Sequence, residues 1–258
     1  MGAPLLSYPS DNASTGATFS QTNANSAYPA SNAKDLDPGT PAKATTTATT
    51  FTLTLAGSTT LEAILIANHN LVGATVTLTN TASYSQAITI PARTADGQCV
   101  NAWRDMRSDA NRTATVWTLT ITGASANVSI GEIALLTTLR AVPWITTVGG
   151  GATFASTWPK RGPGRTFYGH RLLYDTGTRH RMAEGQCETE AAKATFLALI
   201  QSAKGASLPF FFVPDRSVND AWLAQIPDAS TIAWEVQHAG VITGIRFGIE
   251  EVPMGLVQ

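Results

Sequence analysis

Apolar and polar residues alternate with a period of two through much of the first half of the chain. Residues 51–56, FTLTLA, place Phe, Leu and Leu on one side, which is typical of a half-buried strand. Residues 74–81 and 114–123 repeat the pattern, whereas residues 61–68, LEAILIAN, are almost continuously apolar, as expected of a central strand. With SQAITIP and NVSIGEIALL, these short strands and the turn residues between them predict a β-sandwich.

The pattern changes after residue 138. Residues 189–204, TEAAKATFLALIQSAK, carry apolar residues at helical spacing and predict one α-helix, with Thr189 as its N-cap and Gly205 after its end. RTFYGHRLLYD before the helix and LPFFFVPD after it are typical of strands, and TIAWEVQH with VITGIRFGIEEV predicts a closing hairpin. The second half is therefore predicted to be an antiparallel β-barrel or sandwich with one packed helix.

These patterns divide the chain into three parts. Residues 1–27 have little apolar periodicity and are predicted to be an N-terminal arm. Residues 28–138 form the predicted β-sandwich, and residues 139–258 form the second β-domain. Because free polar tails rarely order alone, we expect the arm to fold onto a neighbouring subunit in an assembly.

Composition excludes several classes of function. Only 14% of the 258 residues are charged and the formal net charge is −1, which predicts no general attraction to nucleic acid or to anionic membranes. No helix carries a basic face for sequence-specific nucleic-acid binding. No apolar run approaches the roughly 18 residues of a membrane span, and the N-terminus has no basic region of a signal peptide. Low charge also suggests that other subunits cover much of the surface.

The sequence supplies no evident cofactor or metal site. Cys99 and Cys187 lie far apart and are predicted to be reduced thiols. The segment Asn68-His69-Asn70 ends a buried strand, and no nucleophile, acid or further metal ligand accompanies it. His69 is therefore predicted to be a neutral, hydrogen-bonded residue at a structural corner. No catalytic motif is present, so we expect the protein not to be an enzyme.

The long connection at residues 93–113 contains the first candidate binding residues. Trp103, Arg104 and Arg107 could form a stacking and hydrogen-bonding surface for a glycan or a protein partner. In the alternative interpretation, Trp103 and Met106 only anchor the loop under the sheet. Tyr28 and Tyr84 are predicted to be core or rim residues.

Two resemblances to known families follow from these motifs. YPASNAKD, then FTLTLAGSTTLEAILIANHNL, then IGEIALL resembles the galactose-binding-like, or discoidin-like, jelly roll over about residues 25–138. The helix at 189–204, PFFFVPD and the terminal hairpin resemble the distal-tail and minor tail proteins of long-tailed bacteriophages over about residues 139–258. The second resemblance implies a tail-tube-like β-domain that assembles into a ring, although the order of the two domains is reversed relative to many such proteins.

The tail resemblance also implies a use for the basic residues of the second half. They are candidates for salt bridges between subunits of the ring; the alternative is a solvated strand face with no energetic weight. The residues are Arg161, Arg165, Arg179, His180 and Arg181.

The resulting functional hypothesis is a structural component of a phage tail tip. Such a distal-tail or baseplate ring, a homo-oligomeric trimer or hexamer, would link the tail tube protein to the baseplate hub or tail fibre proteins of the host-recognition apparatus. It would be made in the host cytoplasm and reside in the virion. The alternative is a carbohydrate-binding module that recognises a host surface glycan.

Overall fold

The computed structural model describes residues 5–93, 100–141, 153–157, 162–165, 171–174, 180–187, 190–204, 208–213, 221–226, 233–236 and 242–251. These residues are mainly β, with one α-helix, α1 (Glu190–Ser202). The first eleven strands are β1 (Leu5–Ser7), β2 (Thr18–Gln21), β3 (Ala42–Lys43), β4 (Thr49–Thr60), β5 (Ala63–His69), β6 (Thr75–Asn80), β7 (Ser85–Ala87), β8 (Ala102–Asp105), β9 (Thr113–Thr122), β10 (Ser129–Leu136) and β11 (Arg140–Ala141). The remaining strands are β12 (Thr153–Thr157), β13 (Gly162–Arg165), β14 (Arg171–Tyr174), β15 (His180–Cys187), β16 (Phe210–Val213), β17 (Trp222–Gln225), β18 (Ala233–Val236) and β19 (Ile242–Glu251).

Two antiparallel sheets form the sandwich in the first half of the chain. The five-stranded sheet has the order β2-β4-β9-β6-β7, and the four-stranded sheet has the order β3-β10-β5-β8. The alternating strands send Phe51, Leu53, Trp117 and Leu119 into the core between the sheets, where they are fully buried. The predicted jelly-roll-like β-sandwich is therefore present.

The four-stranded sheet is buried on both faces. Every residue of β5 and β10 is buried, because the face turned away from the sandwich core packs against a third sheet. Leu65 and Ala134 on this face share a hydrophobic cluster with Phe211 and Leu223. This packing explains why residues 61–68 lack the alternation of a half-exposed strand.

The third sheet has eight strands, in the order β11-β1-β16-β17-β19-β15-β12 with β18 also paired to β19. Its β16 strand, FFFV, divides its aromatic side chains between two cores because successive side chains point to opposite faces. Phe211 faces the sandwich, whereas Phe210 and Phe212 share a cluster with Phe196 and Leu199 of α1. The predicted helix and the terminal hairpin β18–β19 are confirmed, while Thr189 and Gly205 lie outside the described residues.

The N-terminal segment does not form a separate arm. Leu5–Ser7 lies between β11 and β16, with Leu5 opposite both Ala141 and Val213, and Thr18–Gln21 is the edge strand of the five-stranded sheet. The described part of residues 1–27 thus adds one strand to each half of the molecule. A three-residue strand is too short to show a period, which is why the pattern did not indicate it.

Candidate functional site

The side chains of β8 separate the predicted loop residues onto different surfaces. Trp103 is only 8% exposed and packs against Phe211, with ring centroids 5.8 Å apart and an interplanar angle of 57°. It lies in the contact between the sandwich and the eight-stranded sheet, so it is no platform for an external ligand. Met106 is fully buried in the sandwich core. This arrangement agrees with the alternative interpretation, in which Trp103 and Met106 anchor the segment under the sheet.

Arg104 lies on the other side of β8 and closes one lateral edge of the sandwich. Its guanidinium donates to the Asp109 carboxylate at 2.9 Å, to the Tyr84 hydroxyl at 3.2 Å, to the Ala87 carbonyl at 3.3 Å and to the Gln86 side chain at 3.2 Å. The Tyr84 hydroxyl donates to Asp109 at 2.8 Å, and burial followed by this bond raises the pKa of Tyr84 to about 12. Arg104 therefore ties the edge strands β7 and β8 together.

Arg107 forms a separate, more exposed ion pair. Its guanidinium donates to both carboxylate oxygens of Asp105, at 3.0 and 2.6 Å. More than a quarter of each side chain is exposed to solvent. Arg104 and Arg107 thus lie near the same end of β8, but each already has a carboxylate partner, and Trp103 does not join them.

The His69 corner agrees with the structural interpretation. His69 is fully buried, and its Nδ1 accepts a hydrogen bond from the Leu71 amide at 3.3 Å. Burial lowers the pKa of His69 to about 4, so the ring is neutral at pH 7. Asn68 has a left-handed φ of 49° and donates to the Pro38 carbonyl at 2.5 Å. Asn70 accepts from the Ser129 amide at 2.9 Å.

A buried carboxyl that the sequence did not single out lies in the middle of β10. Glu132 is fully buried, and its Oε2 accepts from the Leu36 amide at 3.0 Å, while Oε1 has no hydrogen-bond partner among the described residues. The pKa of Glu132 is raised to about 8, mainly by burial; the Leu36 hydrogen bond opposes this rise, and the nearby charges of Asp35 and Asp37 add to it. An acidic residue inside the otherwise apolar segment IGEIALL was the available signal.

The loop that contains Asp35 and Asp37 is held closely against β10. A Cβ atom on Gly131 would lie 2.5 Å from the Pro38 carbonyl oxygen and 2.8 Å from the Asn68 Cβ. Carboxylate oxygens, such as those of Glu132, Asp35 and Asp37, are the ligands that hard cations prefer. No group of three or more His, Cys, Asp or Glu side chains in the described part of the chain is arranged to hold a metal ion.

Tyr28 is the exposed aromatic residue of the sandwich, at the lateral edge opposite Arg104. Tyr28 is 38% exposed, and the Lys43 ammonium lies 4.4 Å from the centroid of its ring. The backbone fixes this pair, because the Lys43 amide donates to the Tyr28 carbonyl at 3.1 Å. The Tyr28 amide donates to the Asn25 carbonyl at 2.9 Å, and the Asn25 side chain caps the same turn through the Ala27 amide. Tyr28 is thus a rim residue and Tyr84 a core residue.

The basic residues of the second half belong to different elements where the structure describes them. Arg165 lies in the separate two-stranded sheet β13–β14, whereas His180 and Arg181 begin β15 opposite Thr157 and Ser156. Arg161 and Arg179 lie outside the described residues. The salt bridges between subunits that were predicted for this set stay a prediction.

No protein-family model matches the chain, and no curated protein matches it. Among solved structures, the chain is similar to the family 32 carbohydrate-binding module of NanJ from Clostridium perfringens in complex with galactose, with 13% identity over 53% of this chain and 99% of that chain and a TM-score of 0.39. It is also similar to the fucose-binding module SpX-3 of Streptococcus pneumoniae, with 13% identity over 49% of this chain and 98% of that one and a TM-score of 0.39. The lectin domain of lectinolysin, complexed with Lewis B antigen, gives 12% identity, 49% and 96% coverage and a TM-score of 0.39.

By their descriptions, the first two neighbours are sugar-binding modules and the third is a lectin domain. The comparisons lend no support to the tail-tip role. In the part of the chain that the structure describes, no helix is long and apolar enough to cross a membrane.

Proposed function

We propose that this chain is a carbohydrate-binding protein and that its sandwich recognises sugars at the edge that carries Tyr28. The observation that supports this proposal is the exposed Tyr28 ring, with the Lys43 ammonium over one of its faces, on a backbone turn fixed by Asn25. A tyrosine ring offers an apolar body for the C–H face of a sugar, and its hydroxyl and a neighbouring ammonium can bond to sugar hydroxyls. Tyr28 has few rotatable bonds, so holding it costs little conformational entropy.

The electrostatics of this edge favour a neutral or acidic sugar. Lys43 contributes a positive charge beside the ring, and Lys34 lies on the same side of the sandwich, where its ammonium donates to the Ala17 carbonyl at 2.5 Å. The Lys34 ammonium also lies 5.9 Å from the centroid of the Phe19 ring. Both cations are held by aromatic rings, so the edge presents ordered rather than freely moving donors.

A glycan array with the purified chain, followed by calorimetric titration of the best ligand, tests the proposal. We expect the Tyr28→Ala variant to lose affinity by at least about tenfold, which corresponds to about 1.4 kcal/mol, and Tyr28→Phe to lose less because it keeps the ring. Leu197→Ala is the matched control, because Leu197 is equally exposed at 38% but lies on α1. Equal affinity of Tyr28→Ala and the unsubstituted chain, or no binding to any glycan, would contradict the proposal.

The ring-forming role at a phage tail tip remains a second hypothesis from the sequence, with the tail tube and baseplate proteins as its partners. It predicts a closed homo-oligomer, whereas sugar recognition through Tyr28 needs only one copy of the chain. We further propose that the protein acts by binding and does not turn over its ligand.

A further inference from the structure

The outer face of the five-stranded sheet carries hydroxyl groups in aligned ranks. Its three central strands each present a T-x-T-x-T pattern, and β-pairing places Thr52 opposite Thr118 and Thr118 opposite Thr79. Ser20 on β2 and Ser85 on β7 continue this rank to both edges of the sheet. We call the outward-facing set the threonine face: Thr18, Ser20, Thr50, Thr52, Thr54, Thr75, Thr77, Thr79, Ser85, Ala87, Val116, Thr118, Thr120 and Thr122.

The threonine face follows from the alternation of the strands. The intervening residues, such as Leu53, Leu78 and Leu119, are fully buried in the sandwich core, so the hydroxyl-bearing residues point outward. All of the outward residues are half-buried or exposed, and none of them is charged. Thr79 donates to the Thr118 carbonyl at 3.4 Å; within the described part of the chain, the other hydroxyls of the face make no side-chain hydrogen bond.

The chemistry of the threonine face disfavours several kinds of partner. Nucleic acids and anionic membranes are attracted by Lys and Arg, which the face lacks. A protein partner usually buries about 800 Å² per side and anchors on aromatic or Arg residues. Five strands ~4.8 Å apart and the seven residues of Val116–Thr122 at ~3.4 Å per residue give a face of only roughly 400–450 Å², too small for a stable dimer by itself.

We propose that the threonine face binds an extended, neutral polysaccharide whose chain runs along a hydroxyl rank, across the strands. The inference rests on the proposed carbohydrate-binding function and adds a second surface to it. Each hydroxyl can donate and accept a hydrogen bond, as the hydroxyls of a neutral sugar can, and each threonine methyl can contact a sugar C–H face. The ~4.8 Å between strands is close to the length that one sugar residue contributes to an extended β-linked chain.

Pelleting of the full chain with microcrystalline cellulose and with chitin, two insoluble neutral polysaccharides, tests this inference. A long cation in the central rank should keep a neutral chain off the surface, so we expect Thr118→Lys to lose at least about fivefold in affinity for the polysaccharide that the unsubstituted chain binds. Ser58→Lys is the matched control, because Ser58 is exposed on β4 within the register irregularity between Thr54 and Thr59, outside the ranks. Thr52→Lys repeats the test in the same rank if Thr118→Lys fails to fold, which circular dichroism would reveal.

The outcomes separate this inference from the function on which it rests. Loss of pelleting by Thr118→Lys, with soluble-glycan binding and Ser58→Lys unchanged, supports the threonine face. Equal pelleting of Thr118→Lys and Ser58→Lys overturns it, as does binding of soluble glycans without binding to either polysaccharide; in both cases a loss caused by Tyr28→Ala would leave the proposed function standing. A dimer that Thr118→Lys disrupts would also overturn it, by giving the face a protein occupant. Binding to no carbohydrate at all overturns both proposals.

Discussion

The ring of Trp103 in the sandwich lies 5.8 Å from the ring of Phe211 in the eight-stranded sheet and joins the two halves of the chain. We expect Trp103→Ala to lower the free energy of unfolding by about 3–5 kcal/mol, because it leaves a cavity in a buried cluster. Chemical denaturation measures the change. Leu197→Ala, at an exposed position, should shift the free energy by no more than about 0.5 kcal/mol; a similarly small effect of Trp103→Ala would show that the contact contributes little.

A double-mutant cycle isolates the contact between these rings from the loss of buried area. With Trp103→Ala, Phe211→Ala and the double variant, we expect a coupling energy of about 0.5–1.5 kcal/mol, as aromatic pairs give. Additive effects of the two substitutions would mean that the contact between these two rings contributes no interaction energy of its own.

The buried carboxyl of Glu132 should make the protein less stable at higher pH. Its pKa is about 8 in the folded chain against 4.5 for the ordinary group, so its contribution to stability is fully present below pH 4.5. That contribution is lost as the pH rises towards and through 8, by up to about 5 kcal/mol. Glu132→Gln should flatten this part of the stability profile, measured by denaturation between pH 5 and 9 with a chelator present. Parallel profiles for the two proteins would contradict the assignment.

His69 should act in the opposite direction at lower pH. Its pKa is lowered from 6.5 to about 4, so its contribution is fully present above pH 6.5 and is lost as the pH falls through about 4, by up to about 3 kcal/mol. Nuclear magnetic resonance titration of the imidazole checks this directly. A midpoint near 6.5 would show that the ring reaches water and that the corner is open.

The N-terminal strand should hold the two halves together. Leu5 is fully buried between Val213 and Ala141, so Leu5→Asp places a charge in an apolar cluster. We expect calorimetry to show a lower first transition that is separated from the unfolding of the sandwich. Ser20→Asp, at an exposed position of β2, is the control for the added charge. A single, unshifted unfolding transition for Leu5→Asp would show that β1 does not hold the two halves together.

Light scattering of the purified chain separates the two functional hypotheses. Sugar recognition at Tyr28 leads us to expect a monomer that binds glycan. A closed trimer or hexamer without glycan binding would instead favour the tail-tip ring, and the basic residues Arg165, His180 and Arg181 would then become the first candidates for its interface.

The sequence predicted most of what local periodicity determines. The alternation at residues 51–56 and the helical spacing around Phe196 identify elements whose burial depends on one face. Periodicity cannot tell what covers the other face. The unbroken apolar run of β5 and the paired Phe211 and Phe212 are explained only by the packing of a third sheet against the sandwich.

The candidate site was less predictable because it depends on the direction of single side chains. Trp103 and Arg104 are neighbours in sequence, yet they point to opposite faces of β8. The spacing within an assumed loop could not reveal this, since the segment is a strand only through its pairing with Ile64 and Leu65. From the sequence, Glu132 is one residue of a predicted strand. Only the structure shows that the loop of Asp35 and Leu36 supplies a hydrogen bond to one carboxyl oxygen of Glu132 and leaves the other without a partner among the described residues.

The position of β1 has a consequence for how the chain is made. Leu5–Ser7 is synthesised more than 200 residues before its partner Phe211–Val213. The sandwich can therefore fold while this apolar segment and the outer side of β5 and β10 are still uncovered, because domains generally fold as units during synthesis. Until the strands of the second half are synthesised, the nascent protein exposes an apolar surface that a chaperone could bind. Folding of the second half then buries this surface.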